Sequence, residues 1–229
     1  MDEATEILSE MNNKNRSLSP GFTLVELLVV IAIIAVLAAI SVTMVFRFRK
    51  SGDKVVATNN LKQLQVANMS YAVENGGSFV PPSETIESVD YQWFENPVFI
   101  SQIKGISATY LASGSVDTDL ELSLMDPVVV RARATGYDKL DSSYGYTTPE
   151  SGGSYRQAQL EDPARSAVFI TADAAFADYG SKSNIAYRHL DKAIVVYYDG
   201  HASPITLVEI EAKPETDIFW TPVPAVPTP

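Results

Sequence analysis

Charged residues vanish from this chain between Leu27 and Phe46, and twenty apolar or small residues stand there in unbroken succession. At 1.5 Å of rise per residue such a run makes a helix of about 30 Å, the thickness of a bilayer's hydrocarbon core. A helix at the edge of a soluble core keeps a polar stripe, and this run has none on any face. It predicts a membrane span. The pattern then changes period without leaving the helix. Ala57, Leu61, Leu64, Asn68 and Tyr71 recur at i, i+4, i+7, i+11 and i+14, one face of an amphipathic helix. Val55, Val56, Ala67 and Ala72 are expected to widen that face, with Asp53, Lys54, Asn59, Lys62, Gln65 and Glu74 on the opposite side. Ser51-Gly52 is a weak spot, because a glycine inside a helix costs about 1 kcal/mol against alanine. Asn75-Gly76-Gly77 supplies residues that accept the left-handed geometry of a helix end. One helix of about fifty residues follows from these signals.

Beyond it the periodicity shortens. Phe79-Val80-Pro81-Pro82 leaves as an extended segment. Val98-Phe99-Ile100 and Leu120 to Leu124 fit a strand or a helix equally, whereas Val128-Val129-Val130 after Pro127 reads as a strand. Ser142 to Tyr155 reads as a loop, with Tyr144-Gly145-Tyr146 a possible edge strand. Ala167 to Thr171 and Ala193 to Tyr198 are buried-strand candidates. Asp199-Gly200 then suits a tight hairpin turn, with Ala202 to Ile210 as the returning strand. Five prolines from Pro214 onward rule out regular structure and leave an extended tail, its start pinned by Phe219-Trp220.

Composition narrows the function. The net charge of −11, of which residues 1–21 carry −2, argues against nucleic acid, whose phosphates call for clustered Lys and Arg. The absence of cysteine removes disulfide and thiolate chemistry. With 10% aromatic residues, the part beyond the span has enough to build a core.

One charge intrudes at the head of the apolar segment. Glu26 stands in Gly21-Phe22-Thr23-Leu24-Val25-Glu26-Leu27-Leu28-Val29-Val30-Ile31-Ala32-Ile33-Ile34. A carboxylate in a span costs at least about 2.5–3.5 kcal/mol on insertion scales, which points to a function or a partner for it. The wording resembles the processing and assembly motif of type IV pilins and type II secretion pseudopilins. That resemblance covers the leader and the first helix, with Pro20 where a basic residue often sits. It implies that a prepilin peptidase/methyltransferase cuts after Gly21 and methylates the new amino terminus at Phe22. It also implies that Glu26 serves assembly, pairing with the Phe22 amine of a neighbouring subunit.

The same resemblance implies the fold class: α+β, a pilin-like fold, with one long N-terminal helix packed on a small, mostly antiparallel sheet head. The expected division is a leader over 1–21, a long helix over 22–75 with 22–46 transmembrane, a head over 76–211 and a Pro-rich tail over 212–229. The expected location is the bacterial inner membrane, in a single pass with a cytoplasmic N-terminus and a periplasmic head. Lys14 and Arg16 support that orientation under the positive-inside rule, but Arg47, Arg49 and Lys50 on the other flank outnumber them. The processing motif decides between the two counts.

His189 and Asp199-Gly200, nine residues apart, resemble the His-x9-Asp-Gly motif of a subfamily of secretion-type pseudopilin-like proteins. A strand of six residues spans about 20 Å, so the two side chains need not meet. They read as strand-end and turn residues, Asp199 in an Asx-turn and Gly200 with positive φ. A metal site is the sharper reading. Asp173, Asp178 and Asp199 offer hard oxygen ligands for Ca2+, which related pseudopilins use, although calcium needs six to eight oxygens and the dense loop spacing is missing. His189, His201 and a carboxylate would suit zinc. No nucleophile elbow, HExxH or phosphate loop accompanies the histidines, so the expectation is a non-enzyme.

The expected function is that of a structural subunit in a type II secretion-like pseudopilus, its partners being the peptidase, like or unlike pseudopilin subunits, and inner-membrane lipid. The alternatives are an adhesive or motility type IV pilin, which commonly has a C-terminal cysteine pair absent here, or a signal-anchored periplasmic binding or enzymatic domain.

Overall fold

A computed structural model describes residues 21–103, 124–132, 143–148 and 153–222. The chain is an α+β protein in which one long N-terminal helix is followed by a small antiparallel sheet domain. Helix α1 runs Leu24–Glu74, and among the described residues it is the one helix long and apolar enough to cross a membrane. The chain divides into two compact units, Met1–Arg47 and Phe48–Pro229.

In the first unit every helical side chain that is described is exposed, from Leu24 at 79% to Phe46 at 61%.

The second unit contains the C-terminal half of α1, which contributes one face to a core. Ala57, Leu61, Leu64, Ala67, Asn68, Tyr71 and Ala72 are buried, as the spacing predicts. Val55 and Val56 are not: both are exposed, and the apolar face is narrower than expected. Asp53 and Gln65, expected on the outer side, are buried because each has a partner. Asp53 pairs with Arg131. Gln65 Nε2 donates to the Tyr198 carbonyl at 2.8 Å. Asn68 accepts from the Val80 amide at 2.9 Å and Asn60 donates to the Met125 carbonyl at 3.1 Å. These side chains fix the register of α1 on the head, since a buried polar group left unpaired costs roughly 1–3 kcal/mol. The helix stops at Gly76 and Gly77, both with positive φ, and the Gly77 amide reaches back to the Ala72 carbonyl.

Past α1 the chain forms a two-stranded hairpin of β1 (Ser83–Ile86) and β2 (Val89–Gln92), then a short helix α2 (Pro97–Ser101). Asn96 caps α2 by accepting from the Val98 and Phe99 amides, which settles the Val98–Ile100 ambiguity as helix. Leu120 to Ser123 lie outside the described residues.

Val128-Val129-Val130 is a correction: it belongs to helix α3, Pro127–Ala132. Asp126 Oδ1 accepts from the Val128 amide at 2.8 Å and Pro127 occupies the first turn, so a helix start overrides the β preference of three valines. Ala202 to Ile210 is corrected in part. Strand β6 covers only Ala202–Ile205, and Thr206 opens a helix α4, Leu207–Glu211, through a reciprocal capping box with Glu209.

The main sheet has the order β3-β4-β5-β6 and is antiparallel throughout. Its strands are β3 (Tyr144–Tyr146), β4 (Ala167–Thr171), β5 (Ala193–Tyr197) and β6. The central strands β4 and β5 are nearly continuous apolar runs, which suits a sheet covered on both faces. One face carries Phe169, Ile194 and Val196 in a core shared with Leu61, Leu64 and Tyr71 of α1 and with Trp93. Trp93 lies 5.1 Å from the Phe169 ring and donates through Nε1 to the Ala175 carbonyl. A register shift between Ala167 and Phe169 accompanies the burial of Val168 on this same side. The other face carries Ala167, Ile170, Ala193 and Val195 beneath Ile210, Phe219 and Trp220. The start of the Pro-rich segment is therefore part of the head, with the Phe219 carbonyl accepting from the Ala167 amide.

Candidate functional site

Gly21, Phe22 and Thr23 precede α1 and are exposed, with Phe22 at 70%. Thr23 and Glu26 form a capping box. Thr23 donates to Glu26 Oε2 through its amide at 2.8 Å and its hydroxyl at 2.7 Å, and the Glu26 amide donates back to Thr23 Oγ1 at 3.2 Å. The spacing Thr-x-x-Glu makes this pairing local: the first turn of a helix lacks internal acceptors for its amides, and the side chains supply them. Both bonds that Thr23 donates fall on one carboxylate oxygen. Oε1 accepts no hydrogen bond among the described residues. The negative charge also sits at the positive end of the helix dipole. The Glu26 carboxylate is exposed, with Oε2 bonded to Thr23.

His189 and Asp199 are not brought together. His189 lies 1% exposed in the tight turn before β5, where its amide and carbonyl bond those of Lys192. Leu190 and Asp191 take positive φ there. The partner of His189 is Asp126, with Nε2 2.8 Å from Oδ2. Asp126 is wholly buried and also meets Arg188 Nη1 at 3.3 Å, while its amide donates to Ser143 Oγ. Arg188 extends the cluster to the Ala172 carbonyl and to Asp173. Burial pushes the Asp126 carboxyl up, but the His189 ring, the Val128 amide and Arg188 together outweigh it, so its pKa lies below the usual carboxylate value. The cluster ties the start of α3 to the sheet.

Sequence reasoning missed Asp126, which is 63 residues from His189. Its signal was local: an Asp directly before Pro127 at the head of an apolar run is a helix-start signature.

Asp199 and Gly200 form the turn between β5 and β6. Gly200 has φ +91°, and the His201 amide donates to Asp199 Oδ1 at 3.0 Å, the geometry of an Asx-turn. His201 Nδ1 lies 2.6 Å from the same oxygen, with its ring stacked on Tyr197 at 4.2 Å.

The calcium candidates are dispersed over separate interactions. Asp173 faces Arg188, Asp178 accepts from the Ser181 amide and hydroxyl, and Asp199 holds His201. Among the described residues no group of three or more His, Asp or Glu side chains is placed to hold a metal ion. The donor set for Ca2+ through Asp173, Asp178 and Asp199 is not assembled, nor is a zinc set through His189 and His201.

Comparison with known proteins agrees with the N-terminal geometry. Residues 16–42 match the family model described as the prokaryotic N-terminal methylation motif. Over 67 residues the chain is 40% identical to the type IV major pilin protein PilA of Myxococcus xanthus (strain DK1622), a match covering 29% of each chain. The alignment thus spans less than a third of that relative's length. No solved structure matches. Over its N-terminal segment the chain is thus similar to a type IV pilin and carries a prokaryotic N-terminal methylation motif, followed by a long helix that leads into a small antiparallel sheet.

Proposed function

We propose that this chain is the precursor of a filament subunit, cut after Gly21 and N-methylated at Phe22 by a prepilin peptidase/methyltransferase. The first half of α1 holds it in the bacterial inner membrane, with the N-terminus cytoplasmic and the head over 76–211 periplasmic. Assembly transfers that helix from lipid into a bundle of like or unlike subunits. Its work is structural, with no catalysis required of the head.

The observation that carries this reading is Glu26. It is the one charge between Phe22 and Phe46, and its Oε1 is free while Thr23 holds Oε2. Cleavage creates a cationic amine at Phe22. In a low-dielectric bundle the attraction between that amine and the Glu26 of a neighbour is large, and an unpaired Glu26 is costly. Glu26 therefore selects the register in which subunits leave the membrane. The polar collar of Thr23 around one oxygen lowers the cost of waiting in lipid before assembly.

The secretion-type pseudopilus is the finer reading, supported by His189 and Asp199-Gly200 at the motif spacing. A type IV pilus pilin is the second, favoured by the match to the Myxococcus xanthus major pilin over the N-terminal segment. Replacing Glu26 by Leu in the full chain tests the shared part. Filaments recovered by shearing and centrifugation should disappear while the head keeps its circular dichroism melt; unchanged filament yield would refute the role. Electron microscopy of cells overproducing the parent then separates the two readings. Long surface fibres in a strain lacking the secretion ATPase favour the pilus, and their loss in that strain favours the pseudopilus.

A further inference from the structure

The main sheet has two edges, and among the described residues only the β3 edge is covered. The Tyr146 amide donates to the Ala175 carbonyl, the Ala177 amide donates to the Tyr146 carbonyl, and Phe176 bridges Tyr146. No described segment pairs with the outer side of β6. An open edge of this kind is a template for strand addition by another chain.

The β5–β6 ladder fixes which backbone groups of β6 face outward. The Tyr197 amide donates to the His201 carbonyl, so that pair faces inward. Facing alternates along an antiparallel ladder, and the register pairs Val196 with Ala202, Val195 with Ser203 and Ile194 with Pro204. Ala202 and Pro204 therefore turn their backbone groups away from β5, whereas Ser203 and Ile205 turn theirs towards it. An independent bond agrees. The Ile194 amide, opposite Pro204, points away from β6 and donates to Thr171 Oγ1 on β4 at 3.0 Å. Thr206 keeps an extended backbone and is the next outward position.

Pro204 and Thr206 offer no donor to a neighbour. Proline has no amide hydrogen, and a ring carbon of the exposed Pro204 takes its place. The Thr206 amide is spent on Glu209 Oε2 at 2.7 Å, and the Thr206 carbonyl accepts from the Ile210 amide. Glu209 adds an exposed negative charge beside the edge. Antiparallel pairing of β6 with the β6 of a second copy, centred on Pro204, would leave Ala202 as the single outward donor of each strand.

We infer that Pro204 and the Thr206–Glu209 capping box close the β6 edge to strand addition, so that the heads of neighbouring copies do not fuse into one sheet. The inference concerns the head alone and rests neither on processing nor on the assembly role of Glu26.

The test is sedimentation of the full chain in detergent over a concentration series, with a circular dichroism melt of the head alongside. Pro204→Thr returns an amide hydrogen to each strand of a symmetric pair. It should self-associate at protein concentrations at least about tenfold below the parent, the effect of two backbone hydrogen bonds. Pro204→Ala should shift in the same direction, so the result does not hang on one side chain. Ser203→Thr adds a threonine where the amide faces β5, and should sediment as the parent. Adding Glu26→Leu to Pro204→Thr should leave the association in place, because the contact lies in the head. Both proline variants sedimenting as the parent would overturn the inference. So would association that appears only with loss of the melt, that Ser203→Thr shows equally, or that Glu26→Leu abolishes.

Discussion

The two halves of α1 solve opposite problems with the same backbone. In the first unit, from Leu24 to Phe46, the described side chains are exposed and nearly all apolar, and the single carboxylate is held by Thr23 in the first turn. In the second, the buried face of α1 includes Asp53, Asn60, Gln65 and Asn68, and each of these polar groups meets a named partner in the head. An apolar surface left uncovered asks for another molecule, lipid or protein, because it is costly in water. A polar surface buried and satisfied does not. It specifies one packing of one chain. The difference gives the second half of α1 to the internal architecture of the head and leaves the first half exposed.

The comparison breaks if damage to one half reads out in the other. The largest effect is expected from Trp93→Ala. Trp93 is fully buried among Phe94, Phe99, Tyr146 and Phe169, and its loss should destabilise the head by about 3–5 kcal/mol in a urea or thermal melt. Membrane retention through Leu27 to Phe46 should be unaffected. Asp126→Ala comes next. It leaves Arg188 and His189 without their shared carboxylate in a buried site, a loss of about 3 kcal/mol measured in the same way. Gly145→Ala should cost about 1–3 kcal/mol, because an added Cβ would stand 2.8 Å from the Ala177 Cβ and 2.9 Å from the Ala172 Cβ. Thr206→Ala removes the cap of α4 and should cost about 1 kcal/mol.

Acid sharpens the same distinction. The Asp126 carboxyl is held below its ordinary value in the folded head. A carboxyl depressed by folding adds stability above its unfolded pKa, about 3.9, and that stability is lost as pH falls through the folded value. The head should therefore lose stability below about pH 4, and Asp126→Asn should flatten that acid limb while lowering stability at neutral pH. A limb of unchanged slope in the variant would place the acid sensitivity elsewhere.

What the sequence made legible follows from range. The long apolar helix, the buried face Ala57–Leu61–Leu64–Tyr71, the central strands and the Asp199-Gly200 turn are encoded within a few residues of themselves, and periodicity or turn chemistry reads them directly. The Thr23–Glu26 box is equally local. Val128–Val130 reads as a strand from the β preference of valine alone, but the Asp126-Pro127 helix start overrides it. Asp53 and Gln65 are buried through partners 78 and 133 residues away, which no helical wheel contains. His189 was linked by spacing to Asp199, but the fold gives it Asp126. A spacing motif defines positions along a chain, whereas hydrogen-bond partners are chosen by the three-dimensional packing.

The account rests most heavily on the bond between Gly21 and Phe22. Intact mass of the protein purified from membranes of bacteria that carry the processing peptidase tests it directly. The predicted result is a chain beginning at Phe22 and heavier by one methyl group than residues 22–229. A mass for residues 1–229, or for a chain cut at any other bond, would contradict it.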